Sequence, residues 1–312
     1  MQISDRIGRR MRLHDLHVLM AVVQAGSMNK AAALLNTTQP AVSKSIAELE
    51  RTVGVRLLDR HRQGVEPTKC GRALLDCGVT VFDDLRQGLK TIEFLADPTA
   101  GEVRIGCTHL LAGSFVSAVV DRLSYRYPRI QVQLMQMGNT PRPELRERNL
   151  DLLIARILEP LADERLNFEL LFDDSYVVVA NAQSPWARRR RIKLAELVEE
   201  LWALPPPETV TGSMARNAFL ASGVDYPRAS VFAPPSVLPN LLASGRFLTI
   251  VSTTVLKFLA RRQSDFKVLP VDFPMGSLPF GIVTLKNRAL SPVAQLFIEH
   301  AREVAKPLAK KR

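Results

Sequence analysis

Side chains that can hydrogen-bond to bases and phosphates are concentrated in residues 27–53 of the sequence. Gln39 has an amide that can pair with the edge of adenine, and Lys44 can reach guanine or a phosphate. Ser27 and Asn29 open a short helical stretch, where they could hold a phosphate together with backbone N–H groups. The full candidate set for nucleic-acid contact is Ser27, Asn29, Thr38, Gln39, Pro40, Ser43 and Lys44.

The same stretch carries the apolar pattern of a helix that would present these side chains. Val42, Ile46, Leu49 and Val53 recur at steps of four, three and four, which predicts one buried stripe. A structural alternative exists for single residues, because Ser27 and Thr38 could serve only as helix N-caps and Lys44 only as a solvated charge. For the set together we favour nucleic-acid binding, whereas for any one residue both interpretations stay open.

Two further helices and a ribbon are expected around this helix. Residues 13–25 form the first predicted helix, and Gly26 is suited to end it in the left-handed conformation. The second helix should begin after Ser27 and the third after Thr38. The segment RHRQ (residues 60–63), rich in basic side chains, leads into Gly64, which predicts a β-ribbon beside the helices. Arg60 and Arg62 are its candidates for contacts with the nucleic-acid backbone or minor groove.

Residues 68–96 predict one long helix with a coiled-coil type of apolar seam. The seam consists of Leu75, Val79, Phe82, Leu85, Leu89, Ile92 and Ala96. A helix of this length exceeds what most single-domain helices reach, so we expect it to dimerise. The alternative is that the helix packs against its own chain.

After residue 101 the pattern changes to short apolar strands that alternate with helices, as in an α/β sheet. The predicted strands are residues 102–107, 130–137, 151–157, 176–181, 230–232, 247–251, 266–271 and 280–285. The strand at 176–181 opens a second lobe, and the chain returns to the first lobe after Val271. A last helix covers residues 291–305.

Composition and charge limit the class of protein. The 312 residues carry 42 Lys and Arg against 31 Asp and Glu, a net charge of +11 that favours a polyanionic partner. Residues 1–70 hold 11 of these cations and 6 of the anions. The cysteines Cys70, Cys77 and Cys107 form no disulfide framework or zinc spacing. With no signal peptide and no membrane-spanning stretch in the sequence, we expect a cytoplasmic protein without membrane contact.

These residues together resemble the LysR-type transcriptional regulators over the whole chain. The similarity is carried by GSMNKAAALLNTTQPAVSKSIAELERTVGVRLLDR, RHRQGVEPTKCG, GEVRIGCTHLLAGSF, YPRIQVQLMQMGNT and LDLLIARI. Met28 stands where many members have Phe, and Thr38 where most have Ser. Both departures touch the expected DNA face and could alter operator preference.

The resemblance implies a multidomain protein with a winged helix-turn-helix, a long dimerising linker helix and a two-lobed α/β effector domain like a periplasmic binding protein. We place these at residues 1–68, 69–97 and 98–312, with lobe I at about 98–175 and 272–312 and lobe II at about 176–271. The implied partners are double-stranded promoter DNA, a small-molecule effector, further copies of the chain in a dimer and tetramer, and RNA polymerase.

Candidate effector contacts follow from the rule that open α/β sheets bind ligands at the carboxyl ends of strands and at helix N-termini. They are Thr108, His109, Gly138, Asn139, Thr140, Ile157, Thr211, Ser213, Pro235 and Ser236. The family resemblance points to Thr108, Asn139, Thr140 and Ser213 as positions that line its effector cleft. Plain helix capping is an equally good explanation for each residue.

Two sets of arginines and one cysteine each have more than one possible role. Arg104 and Arg156 could counter an effector carboxylate, or they could be paired internally or face solvent. The arginines at residues 188–191 could form a basic targeting patch, although a solvated loop is favoured. Cys107 beside Thr108 and His109 is interpreted as a pocket wall rather than a nucleophile or redox sensor.

We therefore expect no catalytic residues, no metal, no cofactor and no enzymatic activity. His14 and His17 share a helix face, but no other ligand type accompanies them in the sequence. The leading hypothesis is a DNA-binding regulator controlled by a metabolite of aromatic-acid or sugar catabolism. The alternative is a cytoplasmic small-molecule-binding protein without regulatory DNA binding.

Overall fold

The computed structural model describes residues 11–61, 64–137, 145, 148–157, 163–227, 230–233, 237–259 and 265–309. The chain divides into two compact units, Met1–Gly88 and Leu89–Arg312. None of the described helices is long and apolar enough to cross a membrane.

The first unit consists of three short helices, a two-stranded ribbon and the start of a long helix. The elements are α1 (Leu13–Ala25), α2 (Met28–Leu34), α3 (Gln39–Val53), β1 (Leu58–His61), β2 (Gly64–Pro67) and α4 (Lys69–Ala96). The predicted bounds of α1 are confirmed, and Gly26 ends it with a φ of 65°. Strands β1 and β2 pair antiparallel, so the predicted ribbon is confirmed as well.

The core of this unit lies where the apolar stripes of the three helices meet. Val42, Ile46 and Leu49 of α3 are buried, as the spacing predicted. They pack with Leu19 of α1 and with Leu57, which immediately precedes β1. Because α3 buries this stripe, the residues on its opposite side are left on the surface.

The apolar seam of helix α4 divides into two parts. Leu75 and Phe82 pack against the core of the first unit. Leu85, Leu89, Ile92 and Leu95 are exposed by 48%, 62%, 63% and 73%. The first part therefore packs against its own chain, and the second part is an exposed apolar stripe.

The second unit is an α/β structure around a nine-stranded sheet. Its strands are β3 (Ala100–Cys107), β4 (Arg129–Gln136), β5 (Leu152–Arg156), β6 (Leu166–Asn181), β7 (Trp202–Leu204), β8 (Ser230–Phe232), β9 (Leu248–Ser252), β10 (Phe266–Val268) and β11 (Ser277–Leu285). Its α-helices are α5 (His109–Leu111), α6 (Ser117–Arg126), α7 (Val210–Ala221), α8 (Leu238–Ala243), α9 (Thr253–Leu259) and α10 (Pro292–Ala309). A π-helical turn, Ala112–Val116, joins α5 to α6.

One long strand, β6, runs through both lobes of this sheet. The strand order is β4-β3-β5-β11-β6-β9-β7-β8, with β10 also paired to β6. In the first lobe, β3 is parallel to β4 and β5. In the second lobe, β7 is parallel to β8 and β9. Strand β11 pairs antiparallel with β5 and β6 in the first lobe. Strand β6 continues into the second lobe, where it pairs with β9 and β10, so β6 connects the two lobes.

The structure corrects the bounds of two predicted strands and adds one strand that was not predicted. The strand expected at residues 176–181 is only the last part of β6, which begins at Leu166. The strand expected at 266–271 ends at Val268. Strand β7 was not predicted, because its apolar run is only three residues long and is followed by three prolines.

Each lobe has its own apolar core. In the first lobe, the rings of Phe172 and Phe280 stack at 4.6 Å and Phe115 packs edge-on to Phe280 at 4.9 Å. In the second lobe, Trp202 packs edge-on to Phe219 at 5.2 Å. The two cores are separate clusters of buried residues.

Candidate DNA interface and ligand site

The polar face of helix α3 lies on the surface of the first unit. Thr38, Gln39, Pro40 and Lys44 are exposed, and Ser43 is half-buried. Helix α3 places these side chains together because its apolar stripe turns the other way, into the core. The structure thus presents the predicted third-helix residues on one accessible face.

Ser27 and Thr38 occupy the N-cap positions of α2 and α3, with φ values of −160° and −99° in the extended region. Neither side chain makes a capping hydrogen bond. The predicted N-cap positions are therefore confirmed, but neither helix is capped by the side chain at that position. Among the described residues neither hydroxyl has another hydrogen-bond partner, so both are available to an outside one.

The ribbon brings further polar residues next to the start of α2. Ser27, Asn29, Gln39, Arg60 and His61 line one open groove of the surface. His61 was not among the predicted residues, and only its place at the end of β1 beside the turn could have indicated it. Arg62 lies outside the described residues.

A backbone contact fixes the ribbon against the turn between α1 and α2. The N–H group of Val65 donates to the carbonyl of Gly26 over 3.0 Å. A Cβ atom on Gly64 would lie 2.7 Å from the same carbonyl oxygen, and Gly64 has a φ of +146°. Only glycine fits this close approach without strain.

Two polar side chains that the sequence analysis missed hold helix α3 in place. Oε1 of Glu50 accepts hydrogen bonds from the N–H groups of Leu57 (2.7 Å) and Leu58 (3.2 Å). The hydroxyl of Ser45 donates to Oδ1 of Asp15 over 2.6 Å. Ser45 could have been noticed in the sequence because it lies within the apolar stripe of α3.

The electrostatics of this face favour an anion. Lys30, Lys44 and Arg60 are exposed, and among the residues that the structure describes none of them makes an ion pair. Their charges are therefore available to phosphate groups. Hydroxyl and amide groups lie between these cations. This combination can both bind a phosphate backbone and read base edges.

In the second unit, the carboxyl ends of β3 and β5 lie side by side in the sheet, and Thr108 and Ile157 follow them. Both residues are half-buried, and His109 is exposed at the start of α5. The structure thus brings Thr108 and Ile157 to one edge of the first lobe. Gly138, Asn139, Thr140, Pro235 and Ser236 lie outside the described residues.

Helix α7 begins with a hydroxyl-rich turn in the second lobe. Thr209 is the side chain that caps it, since its Oγ1 accepts from the N–H of Gly212 over 3.1 Å. Ser213 is exposed and Thr211 is half-buried. Capping by Thr209 leaves the hydroxyls of Thr211 and Ser213 available for other bonds.

Thr211 bonds to Tyr176, another residue that the sequence analysis missed. Burial raises the pKa of Tyr176, and the charge of Asp174 raises it further, while Arg156 and the hydrogen bond with Thr211 lower it. The phenol therefore stays protonated at neutral pH. It can donate or accept a hydrogen bond beside α7.

Arg156 is paired internally, which decides between the alternatives that its sequence position left open. Its Nε donates to Oδ2 of Asp174 over 2.6 Å, and its NH2 group donates to the hydroxyl of Ser252 over 2.6 Å. Its guanidinium also lies 5.9 Å from the ring centres of Tyr176 and Phe280. Arg156 ends a strand of the first lobe and Ser252 ends one of the second, so this buried cluster joins the two lobes.

Arg104 is also paired internally. Its Nε lies 3.6 Å from Oε1 of Glu102 and 3.9 Å from Oδ2 of Asp151. Lys90 on helix α4 lies 3.7 Å from the same Asp151 oxygen. Oδ1 of Asp151 is 3.3 Å from the guanidinium of Arg288. Asp151 is therefore a buried carboxylate shared by three cations, of which Arg288 is buried and Lys90 and Arg104 are half-buried.

Little in the described residues suggests catalysis. Burial raises the pKa of Cys107 to about 11, so its thiol stays protonated and is a poor nucleophile. No group of three potential metal ligands occurs in the part of the chain that the structure describes. His17 packs against Phe82, with ring centres 5.7 Å apart.

Comparison with protein-family models finds two matches that together cover most of the chain. Residues 13–72 match the family described as "Bacterial regulatory helix-turn-helix protein, lysR family". Residues 96–306 match the "LysR substrate binding domain". The first match favours a DNA-binding regulator over a binding protein without that role.

Curated and solved proteins of similar sequence or fold agree with these matches. The HTH-type transcriptional regulator GbpR of Azospirillum brasilense is 26% identical over 289 residues, covering 92% of this chain and 84% of that protein. ArgP from Mycobacterium tuberculosis has a TM-score of 0.67 at 20% identity, covering 96% of this chain and 98% of that chain. Full-length CbnR in complex with its target DNA has a TM-score of 0.53 at 20% identity, covering 95% of this chain and 100% of that chain.

Proposed function

We propose that this chain, which belongs to the LysR family of bacterial transcriptional regulators, binds promoter DNA through its first unit and an effector through its second. The observation that carries this proposal is the exposed polar face of α3 beside the ribbon. Gln39 and Lys44 read base edges, while Ser27, Asn29 and Arg60 hold the phosphate backbone. Thr38, Pro40 and Ser43 complete the surface, and Arg62 is assigned to it from the sequence. A regulator of this kind acts in the cytoplasm.

A mobility shift with duplex DNA flanking its own gene tests this assignment. Gln39→Ala should weaken the preference for the specific duplex over an unrelated one, because it removes a base contact. Lys44→Ala should weaken binding and make its salt dependence less steep by about one unit. Arg72→Ala, an exposed cation on α4, is the matched control. Unchanged affinity and salt dependence in both variants would remove Gln39 and Lys44 from the interface.

For the effector we propose a site between the lobes of the second unit. Thr108, His109 and Ile157 come from the first lobe, and Thr211 and Ser213 from the second. Asn139, Thr140 and Ser236 are assigned to the same site from the sequence. Their hydroxyl and amide groups suit a carboxylate or the hydroxyls of a sugar, so we propose a metabolite of aromatic-acid or sugar catabolism.

A thermal-shift screen of the full chain tests the effector class. An aromatic acid such as benzoate or a sugar such as galactose should raise the melting temperature if it binds the folded state. The rise should be smaller in the double variant Thr108→Ala and Ser213→Ala. A ligand that stabilises wild type and double variant equally binds elsewhere and contradicts the proposed site.

We propose that effector binding acts by changing the quaternary arrangement of the protein. The exposed stripe of α4 supports a dimer, and two dimers would form the tetramer that holds promoter DNA. An effector that favours one angle between the lobes would shift the tetramer between two arrangements and so alter contact with RNA polymerase. Leu89→Glu with Ile92→Glu should convert dimers to monomers in light scattering. An unchanged mass would contradict the role of the stripe.

A further inference from the structure

A run of four arginines, residues 188–191, stands on the surface of the second lobe. Residues 188–193 contain five cationic side chains and no acidic one. Arg188, Arg190 and Arg191 are exposed, and the part of the chain that the structure describes offers them no ion-pair partner. Arg189 is the exception, since it donates to Oε2 of Glu196 over 2.7 Å.

The loop that carries this run is held at both ends. The 3-10 turn Pro185–Arg188 begins with the N–H of Trp186 bonded to Oγ of Ser184 (3.4 Å). The N–H of Ile192 donates to the carbonyl of Pro270 over 3.2 Å. Arg189 lies over the ring of Trp186, 5.7 Å from its centre. Since these contacts hold the backbone of the loop, binding through it requires little further ordering of the main chain.

Acidic neighbours neutralise only one of the four charges. The pKa of Glu196 is lowered by the hydrogen bond from the N–H of Lys193 and by Arg189, so its carboxylate is charged and occupied by Arg189. Glu199 and Glu200 follow in the sequence, and neither pairs with the run among the described residues. Within four consecutive residues, three exposed guanidinium groups are therefore left without an acidic partner among the described residues.

We propose that this arginine loop (residues 188–191) is a second phosphate-binding surface, which contacts promoter DNA outside the site of helix α3. Guanidinium groups match phosphate oxygens in charge and in their two-pronged geometry. DNA is favoured over an acidic protein because the same chain already holds DNA through α3. That attachment raises the effective concentration of phosphate near the loop. The inference rests on the DNA binding proposed above.

The test is the salt dependence of DNA binding by the full chain. The variant Arg188→Gln, Arg190→Gln and Arg191→Gln removes three phosphate contacts, so the slope of log affinity against log salt should be less steep by about 2.7. Between 50 and 200 mM salt, wild type should then lose about 40-fold more affinity than the variant. The variant Arg188→Lys, Arg190→Lys and Arg191→Lys keeps the charges and should retain most of the wild-type slope.

A matched control replaces three exposed arginines of the same unit that are already ion-paired. Arg122, Arg129 and Arg302 lie 2.8, 2.8 and 2.6 Å from carboxylate oxygens of Glu303, Asp97 and Glu169. Their triple Gln variant changes the net charge equally and should keep the wild-type slope.

Three results would overturn the inference. The first is an unchanged slope in the arginine-loop variant, and the second is an equal loss of slope in variant and control. If the loop variant kept its DNA affinity and lost promoter activation, an acidic protein partner would replace DNA and the inference would be wrong. Absence of any shift with the wild-type chain would instead contradict the proposed function.

Discussion

The hydroxyl of Ser45 donates a 2.6 Å hydrogen bond to Oδ1 of Asp15, thirty residues earlier in the chain. Both side chains are buried, with 7% and 6% of their surface exposed. The bond joins helix α1 to helix α3, whose other face carries the proposed DNA contacts. A buried polar pair thus takes part in setting the orientation of the recognition surface.

Ser45→Ala is expected to destabilise α3. It leaves the buried carboxylate of Asp15 without this donor, at a cost of about 1.5–3 kcal/mol in the free energy of unfolding. Because the chain has two units, hydrogen exchange of the α3 amides is the suitable measurement. Faster exchange in α3 with unchanged exchange in the second unit is the expected outcome.

Ser43→Ala is the matched control, since Ser43 lies two residues away on the same helix and is half-buried on the proposed DNA face. It should weaken DNA binding and leave α3 exchange unchanged. If Ser43→Ala accelerated exchange as much as Ser45→Ala, the hydrogen bond with Asp15 would not be the reason.

Gly64→Ala is expected to displace the ribbon. The new Cβ would lie 2.7 Å from the carbonyl oxygen of Gly26, at a φ of +146° that other residues rarely adopt. We expect a loss of more than about 1 kcal/mol in the first unit. DNA affinity should fall as well, because Arg60 and His61 move with the ribbon. Hydrogen exchange at the N–H of Val65 measures the displacement directly.

Gly88→Ala serves as its control, because a Cβ there has no atom within 4 Å. Gly88 is exposed inside helix α4, so alanine should stabilise that helix by about 0.5–1 kcal/mol. Equal effects of the two substitutions would show that close approach to Gly26 is not what selects glycine at position 64.

Asp151→Asn is expected to destabilise the second unit by about 3–5 kcal/mol. It removes the carboxylate shared by Lys90, Arg104 and Arg288. Lys90 and Arg104 then keep Glu102 as an acidic neighbour, and the buried Arg288 loses the carboxylate oxygen at 3.3 Å. Trp186 and Trp202 both lie in this unit, so their fluorescence in urea reports its unfolding. Glu102→Gln, at a side chain that is 38% exposed, should cost less than about 1 kcal/mol. Similar losses in both variants would contradict the central role of Asp151.

Cys107 is expected to resist alkylation in the folded protein. Burial raises the pKa of its thiol to about 11, so the reactive thiolate is scarce at neutral pH. Iodoacetamide labelling followed by peptide mass spectrometry should modify Cys107 only after denaturation, with the exposed Cys70 and Cys77 as internal references. Since the folded pKa is raised from 9.0, this thiol's contribution to stability is lost as pH rises from about 9 to 11. The Cys107→Ser variant should lack this loss of stability between pH 9 and 11. Rapid labelling of Cys107 in the native chain would contradict the protection expected from burial.

Periodicity accounts for the parts of the fold that the sequence predicted well. The stripe of Val42, Ile46 and Leu49 located α3 because a helix repeats every 3.6 residues and one side must be buried. Helix α1 was predicted with correct bounds because Gly26 has the conformational freedom that a left-handed helix end requires. By contrast, β7 has only three apolar residues, too few for an alternation to be recognised.

The sequence by itself determined the family, the order of the elements and which face of α3 is polar, because these depend on local patterns and on motifs. Only the tertiary structure decided that Arg156 is bound by Asp174 and Ser252, residues 18 and 96 positions away. The same holds for the bond between Asp15 and Ser45. Local spacing carries no record of such partners, because the sheet order and the packing of helices bring distant residues together.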